Sequence, residues 1–192
     1  KNVGKYTIRI TTAETDTFKS ASSTMEFEIQ PKEITISDVK VADKTYDGTT
    51  EAKITNEGTL SDNYDGDNLT IAIGSAAYDN KNVGTDKTVT FTRFALAGDA
   101  AANYELVAQP ADTTADITAK GITIVGAAVE SSKVYDGTTE VKITNAGTLS
   151  DNYDGENLTI VTGSAAYDNK NVGTGKTVVF TGFAIAGDAA AN

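Results

Sequence analysis

The side chains best suited to chemistry lie in two similar acidic loops, SDNYDGDN at residues 61–68 and SDNYDGEN at residues 150–157. Their carboxylate and amide oxygens are the ligands that Ca²⁺ prefers. An EF-hand is excluded, because Ser61 and Ala72 stand where its first Asp and its bidentate Glu are required. A looser calcium site and an ordinary solvated hairpin loop remain open. No other cofactor is expected. The candidate calcium ligands are Asn63, Asp65, Asp67, Asn152, Asp154 and Glu156.

Tyrosines in or near these loops suggest ligand binding instead. Aromatic faces flanked by amides and carboxylates are suited to sugars, and tyrosine is enriched at protein interfaces. The predicted partner is a glycan or a protein. The alternative is that these loops have only the composition of tight turns. The candidate ligand-binding residues are Tyr64, Tyr78, Tyr153 and Tyr167.

A third motif, KTYDGTT at residues 44–50, returns as KVYDGTT at residues 133–139. Asp-Gly predicts a turn, because Asp accepts a nearby backbone N–H and Gly adopts positive φ without a Cβ penalty. The tyrosine is expected to fold its ring onto the edge of a sheet while its hydroxyl finds a partner. The predicted structural residues are Lys44, Tyr46, Asp47, Gly48, Lys133, Tyr135, Asp136 and Gly137.

The same lysines could form an internal Lys–Asn isopeptide bond with a carboxylate to shuttle protons. The residue types are supplied by Lys44, Asp47 and Asn103, and by Lys133, Asp136 and Asn192. The alternative is an ordinary solvated lysine, since lysine is seldom buried.

Composition excludes several classes of function. The chain has no Cys and no His, which removes thiolate and imidazole metal sites and Ser-His-Asp or Cys-His machinery. Carboxylate pairs could support glycoside hydrolysis, but that chemistry needs a deep cleft that a small repeated sandwich seldom has. The net charge of −11 argues against nucleic acid, and no apolar run is long enough for membrane insertion. The sequence predicts that the protein is not an enzyme.

The main signal is an internal repeat. Residues 44–103 match residues 133–192 at 50 of 60 positions. This period exceeds that of solenoid repeats and predicts whole modules in tandem. Two similar segments, IQPKEITI at residues 29–36 and ITAKGITI at residues 117–124, mark the boundaries between modules. We expect the C-terminal part of a preceding module at 1–31, a complete module at 32–119, and a second module at 120–192 that lacks its last strands.

Alternating apolar and polar residues dominate within the modules and predict an all-β fold. Strands are predicted at 33–41, 51–55, 68–73, 76–79, 87–97, 104–108 and 113–118. Seven short strands of this spacing favour an immunoglobulin-like β-sandwich, with a β-grasp fold as the alternative. The alternation of apolar and polar residues changes phase at Arg93, and this change predicts a β-bulge there. NVGKY at residues 2–6 is similar to a tyrosine corner.

The motifs KxYDGTT, KNVGTGKTV, GDAAANYEL and ADITAKGITI, in this order and spacing, resemble the YDG repeats of large bacterial surface adhesins and haemagglutinin-like proteins. The resemblance implies an extracellular location on the bacterial surface. It also implies a structural stalk that projects a distal binding domain, monomeric within a long multi-module chain. The alternative is that the modules themselves bind host glycan or protein.

Overall fold

A computed structural model describes residues 2–64, 66–153 and 156–192. Its regular elements are β-strands and one short 3-10 turn at Ala101–Asn103, so the predicted all-β class is confirmed. In the described ranges no helix has the length and apolar character to cross a membrane. The chain forms two compact units. The first comprises Lys1–Asp43, Thr50–Asp79 and Asp86–Asp116, and the second Lys44–Thr49, Asn80–Thr85 and Ile117–Asn192.

The N-terminal residues form a hairpin. Its strands β1 (Gly4–Thr11) and β2 (Ser22–Ile29) pair antiparallel along their whole length. The Tyr6 ring stacks on Phe27, with ring centroids 5.4 Å apart. The Tyr6 hydroxyl donates to the Asn2 carbonyl, which is the upstream backbone bond expected of a tyrosine corner.

The described part of the first sequence copy, residues 32–119, contains thirteen strands. They are β3 (Lys32–Ile34), β4 (Ile36–Ser37), β5 (Lys40–Val41), β6 (Lys44–Thr45), β7 (Glu51–Ala52), β8 (Ile54–Asn56), β9 (Thr59–Leu60), β10 (Thr70–Ala72), β11 (Ser75–Tyr78), β12 (Gly84–Thr92), β13 (Ala95–Ala97), β14 (Tyr104–Leu106) and β15 (Thr113–Thr118). Each predicted strand interval overlaps at least one of them, but the interval 33–41 is divided into three. The reason is that these pieces pair with different partners, β3 with β14, β4 with β9 and β5 with β8.

The largest sheet has the strand order β6-β15-β12-β11-β7. Alternate residues of β12 are buried, among them Val89 and Phe91. Two strand pairs are parallel, β15 with β6 and β14 with β3. The sequence pattern did not reveal these pairs, because alternation reports burial and not strand direction. The immunoglobulin-like arrangement remains a prediction, and the described residues contain no α-helix of the kind that a β-grasp fold needs.

The phase change at Arg93 has a different cause from the predicted bulge. Arg93 has φ +64° and separates β12 from β13, and these two strands belong to different sheets. The predicted single strand at 87–97 is therefore two strands joined by two residues, left-handed Arg93 and then Phe94. Both aromatic neighbours remain in the core, where Phe91 and Phe94 pack edge to face with centroids 5.8 Å apart.

The described part of the second sequence copy, residues 120–192, contains nine strands. They are β16 (Ile124–Val125), β17 (Ala128–Val129), β18 (Glu140–Val141), β19 (Ile143–Asn145), β20 (Thr148–Leu149), β21 (Thr159–Val161), β22 (Ser164–Tyr167), β23 (Val178–Thr181) and β24 (Ala184–Ala186). The largest sheet in this part has three strands in the order β18-β22-β23. The other strands pair in twos, β16 with β20, β17 with β19 and β21 with β24.

Candidate functional site

The YDG motif forms the same turn in both copies. Asp47 Oδ1 accepts the Thr49 backbone N–H at 2.9 Å and the Lys44 ammonium at 2.7 Å, and Gly48 has φ +76°. In the second copy, Asp136 Oδ1 accepts the Thr138 N–H at 2.9 Å and pairs with Lys133 at 2.9 Å. Each turn thus has the carboxylate bond and the positive-φ glycine that the sequence predicts.

These bonds change the acidity of both aspartates. The hydrogen bond from Lys133, followed by that from the Thr138 backbone, lowers the pKa of Asp136 to about 2. For Asp47, burial is the largest influence and acts to raise the pKa, but the bonds from Lys44 and Thr49 outweigh it and lower the pKa. Both carboxylates are therefore held ionised to stabilise the turn.

A cluster of charged and aromatic side chains surrounds Tyr46 in the second compact unit. This Tyr46 cluster comprises Tyr46, Lys81, Lys120, Tyr153 and Glu156. The Tyr46 side chain is only 3% exposed, and its hydroxyl donates to Glu156. The Lys81 ammonium lies 3.6 Å from the same carboxylate and 5.8 Å from the Tyr46 ring centroid. The cluster draws on both sequence copies.

Aromatic contacts complete the Tyr46 cluster. The Tyr46 and Tyr153 rings meet edge to face with centroids 6.1 Å apart, and the Lys120 ammonium lies 4.2 Å from the Tyr153 centroid. Burial, and then the bond to Glu156, raises the pKa of Tyr46. Tyr46 therefore remains a neutral donor well into the alkaline range, and the cluster is suited to structural contact.

A second recurring contact joins a valine backbone to an asparagine side chain. In the first unit, the Val3 N–H donates to Asn103 Oδ1 at 3.0 Å. In the second unit, the Val83 N–H donates to Asn192 Oδ1 at 3.0 Å. Each valine belongs to an NVG motif and each asparagine ends a GDAAAN motif. We call this contact the Val–Asn bond.

The four candidate ligand tyrosines have different surroundings. Tyr64 is 65% exposed, with the Lys32 ammonium 5.2 Å from its ring centroid. Tyr78 lies in the core, where its hydroxyl donates to the Ala42 and Asp116 carbonyls. This burial does not fit a ligand-binding role for Tyr78. Half-buried Tyr153 contributes to the Tyr46 cluster, and half-buried Tyr167 lines an open cavity.

The candidate calcium ligands make contacts within the protein. Asp67 accepts the Tyr104 hydroxyl at 2.6 Å, and Glu156 accepts that of Tyr46. Asn152 lines a cavity beside the Tyr46 cluster, and Asn63 is exposed. Asp65 and Asp154 lie outside the described residues. Within the described ranges, no three acidic side chains converge as a metal site would require.

The candidate isopeptide residues are placed as follows. Lys44 lies beside Asp47, as the reaction would need, while Asn103 accepts the Val3 N–H. In the second copy Lys133 lies beside Asp136, and Asn192 accepts the Val83 N–H. The bond remains a prediction, which an intact mass lower by one ammonia per bond would establish.

Sequence reasoning missed Lys81, Val83 and Lys120 as site residues. A signal was present, since NVG occurs three times, at residues 2–4, 82–84 and 171–173. The first two of these motifs supply the valines of the two Val–Asn bonds.

Taken together, the fold and the site define an all-β protein with repeated motifs that form turns and joints. Residues 30–115 and 118–192 each match the model of the YDG domain. The chain therefore belongs to the YDG domain family. Comparisons with curated proteins and with solved structures give no significant match.

Proposed function

We propose that this chain is a structural spacer of a bacterial cell-surface adhesin and has no enzymatic role. The observation that carries the proposal is the recurrence of the Val–Asn bond. It joins segments 100 residues apart in the first unit and 109 apart in the second. A contact that ties distant segments and recurs with the repeat would resist pulling along the chain. The extracellular location follows from the family resemblance alone.

The Tyr46 cluster supports the same proposal. Its aromatic rings and its carboxylate are already paired within the protein, as a structural contact requires. The acidic surface would keep an array of such modules soluble and mutually repelling.

Force measurements test the spacer role. The full chain is stretched between its termini, and the unfolding forces of the native chain are compared with those of Asn103→Ala and Asn192→Ala. We expect each substitution to lower one unfolding force, because each removes the acceptor of one Val–Asn bond. Asn171→Ala, at an exposed asparagine that takes part in neither Val–Asn bond, is the matched control. Unchanged unfolding forces in both Asn103→Ala and Asn192→Ala would contradict the proposal.

Direct ligand binding is the second candidate, and it is favoured by one observation. The Tyr64 ring is mostly exposed in a loop with exposed Asp62 and Asn63. Binding of the full chain to a glycan and mucin panel, with and without calcium, tests it. Saturable binding that Tyr64→Ala abolishes in a folded protein would make the module adhesive, and the absence of binding would favour the spacer.

A further inference from the structure

Two segments of the first sequence copy belong to the compact unit that contains residues 117–192. One is Lys44–Thr49, which carries most of the YDG motif, and the other is Asn80–Thr85, which carries the sequence KNVG. Both of these motifs recur along the chain, and both contact the second copy. The contacts show what each motif presents and what receives it.

The YDG turn is shaped by contacts within its own motif. Asp47 accepts the Thr49 N–H and the Lys44 ammonium, and this ammonium also lies 2.9 Å from the Thr49 carbonyl oxygen. The second copy forms the same turn around Asp136, although its tyrosine, Tyr135, is 60% exposed. The turn therefore keeps its shape whether or not its tyrosine is covered.

The loop DNKNVGTDK at residues 79–87, which we call the KNVG loop, is also shaped from within. The Lys87 ammonium pairs with Asp79 at 2.8 Å across the base of the loop, and the Lys87 side chain is only 8% exposed. The equivalent loop of the second copy has the same closure, with the Lys176 ammonium 3.0 Å from Asp168. Internal contacts thus set the shape of the KNVG loop before it meets anything else.

Glu156 of the second copy receives one group from each motif. Its carboxylate accepts the Tyr46 hydroxyl of the YDG turn, and the same oxygen lies 3.6 Å from the Lys81 ammonium of the KNVG loop. The Glu156 side chain is only 9% exposed. A nearly buried carboxylate needs partners, because an unpaired buried charge is costly. Glu156 therefore favours a partner that presents a phenol and an ammonium together.

Other contacts with the same two motifs surround this carboxylate. The Tyr153 ring meets the Tyr46 ring edge to face, and a Cβ added to Gly48 would lie 3.9 Å from Tyr153 Cγ. The tip of the YDG turn is thus beside the Tyr153 ring. On the KNVG loop, the Val83 N–H donates to Asn192 Oδ1 at 3.0 Å. Aromatic, ionic and main-chain contacts therefore all converge on the YDG turn and the KNVG loop.

The chain segment between the two copies brings these groups together. The Tyr46 N–H donates to the Thr118 carbonyl at 2.8 Å, two residues before Lys120. The Lys120 ammonium lies 4.2 Å from the centroid of the Tyr153 ring, where the ring quadrupole attracts a cation. A short connection gives Tyr46 a high effective concentration beside Tyr153, so that individually weak contacts suffice to hold it.

We propose that the second copy carries a recognition surface for the YDG turn and the KNVG loop of the repeat before it. The surface comprises Lys120, Tyr153, Glu156 and Asn192. The partner that it fits is a turn that carries a tyrosine together with a loop that carries a lysine and a main-chain N–H. Because both parts are shaped before they meet, little ordering entropy is lost on contact. The inference does not rest on the spacer role, since repeats of any function can be joined in this way.

Amide hydrogen exchange of the isotopically labelled full chain tests this recognition. Tyr46→Ala should speed exchange of the hydrogen-bonded Val83 and Lys120 amides at least about tenfold, because it removes the ring that holds the two motifs on the surface. The Thr49 amide is bonded within the YDG turn and should keep its rate. Tyr135→Ala, at the equivalent exposed tyrosine, is the matched control and should leave all three rates unchanged. Unchanged Val83 and Lys120 rates in Tyr46→Ala, or equal effects of the two variants, would overturn the proposal.

A charge exchange tests the shared carboxylate without removing a ring. Glu156→Lys and Lys81→Glu should each speed exchange of the Val83 amide, because each brings like charges together. The double variant should return the rate to within about threefold of the native value, because opposite charges face each other again. Lys170→Glu makes the same charge change at the equivalent exposed lysine and should not rescue Glu156→Lys.

Absence of rescue by Lys81→Glu, or equal rescue by Lys170→Glu, would reject the recognition surface. Both experiments measure exchange rates and not unfolding forces. A failure of this proposal is therefore distinguishable from a failure of the spacer role.

Discussion

The two sequence copies differ more in structure than in sequence. They are identical at 50 of 60 aligned positions, yet Tyr46 is 3% exposed and its equivalent Tyr135 is 60% exposed. The YDG turn itself is the same in both, with matching carboxylate bonds. The turn is therefore specified locally, whereas burial of the aromatic residue beside it depends on segments far away in the chain.

The largest expected difference concerns the core phenylalanines. Phe91→Ala should destabilise the protein by about 3–5 kcal/mol, because it removes a fully buried aromatic side chain and leaves a cavity. Phe180→Ala should cost clearly less, since Phe180 is over a third exposed. Denaturant unfolding of the two variants measures both values. Equal losses would show that the two copies are packed alike.

A glycine substitution should affect both copies equally. A Cβ on Gly74 would lie 1.9 Å from the Thr92 carbonyl oxygen, and one on Gly163 would lie 1.9 Å from that of Thr181. We therefore expect Gly74→Ala and Gly163→Ala each to cost about 1–3 kcal/mol through forced displacement of the backbone. Thermal unfolding measures the losses, with Gly121→Ala, which meets no nearby atom, as the control. An effect in only one copy would contradict this shared geometry.

A smaller difference is expected from the motif tyrosines. Tyr46→Phe removes the hydroxyl that donates to Glu156 and should cost about 1.5–3 kcal/mol, because the acceptor is charged and nearly buried. Tyr135→Phe should be neutral within about 0.5 kcal/mol, because that ring is mostly exposed. Urea unfolding at neutral pH distinguishes the two. If Tyr46→Phe leaves the free energy of unfolding unchanged, the Tyr46 cluster does not contribute to stability.

The smallest effect is the acid titration of the turn. The pKa of Asp136 is about 2 in the folded chain and about 3.9 when unfolded, so the stability it contributes is present above about pH 4 and is lost as pH falls toward 2. Carboxyl NMR shifts from pH 6 to 1.5 follow this titration. Lys133→Met should raise the pKa of Asp136, and Lys176→Met, which affects Asp168 instead, is the control. An unchanged pKa in Lys133→Met would exclude the lysine as the cause.

The sequence predicted the all-β class and the YDG turn because both depend on short-range patterns. Alternation reports local burial, and Asp-Gly carries its own turn geometry. The parallel pairing of β14 with β3 could not be predicted, because it joins residues far apart in the chain. For the same reason no local pattern separates Tyr46 from Tyr135, which have nearly identical neighbours.

The phase change at Arg93 shows how a correct observation can lead to the wrong element. A bulge and a strand break both reverse the alternation. Only the sheet partners of β12 and β13 distinguish them, and these partners are set by the whole fold.

The Val–Asn bond has a consequence for how the gene can change. Its donor is a main-chain amide, so almost any residue except proline could occupy the valine position without losing the bond. Each copy carries both an NVG donor and a GDAAAN acceptor. A duplication or deletion of one whole copy therefore preserves both halves of the joint, and the length of the protein can change by recombination without any compensating mutation.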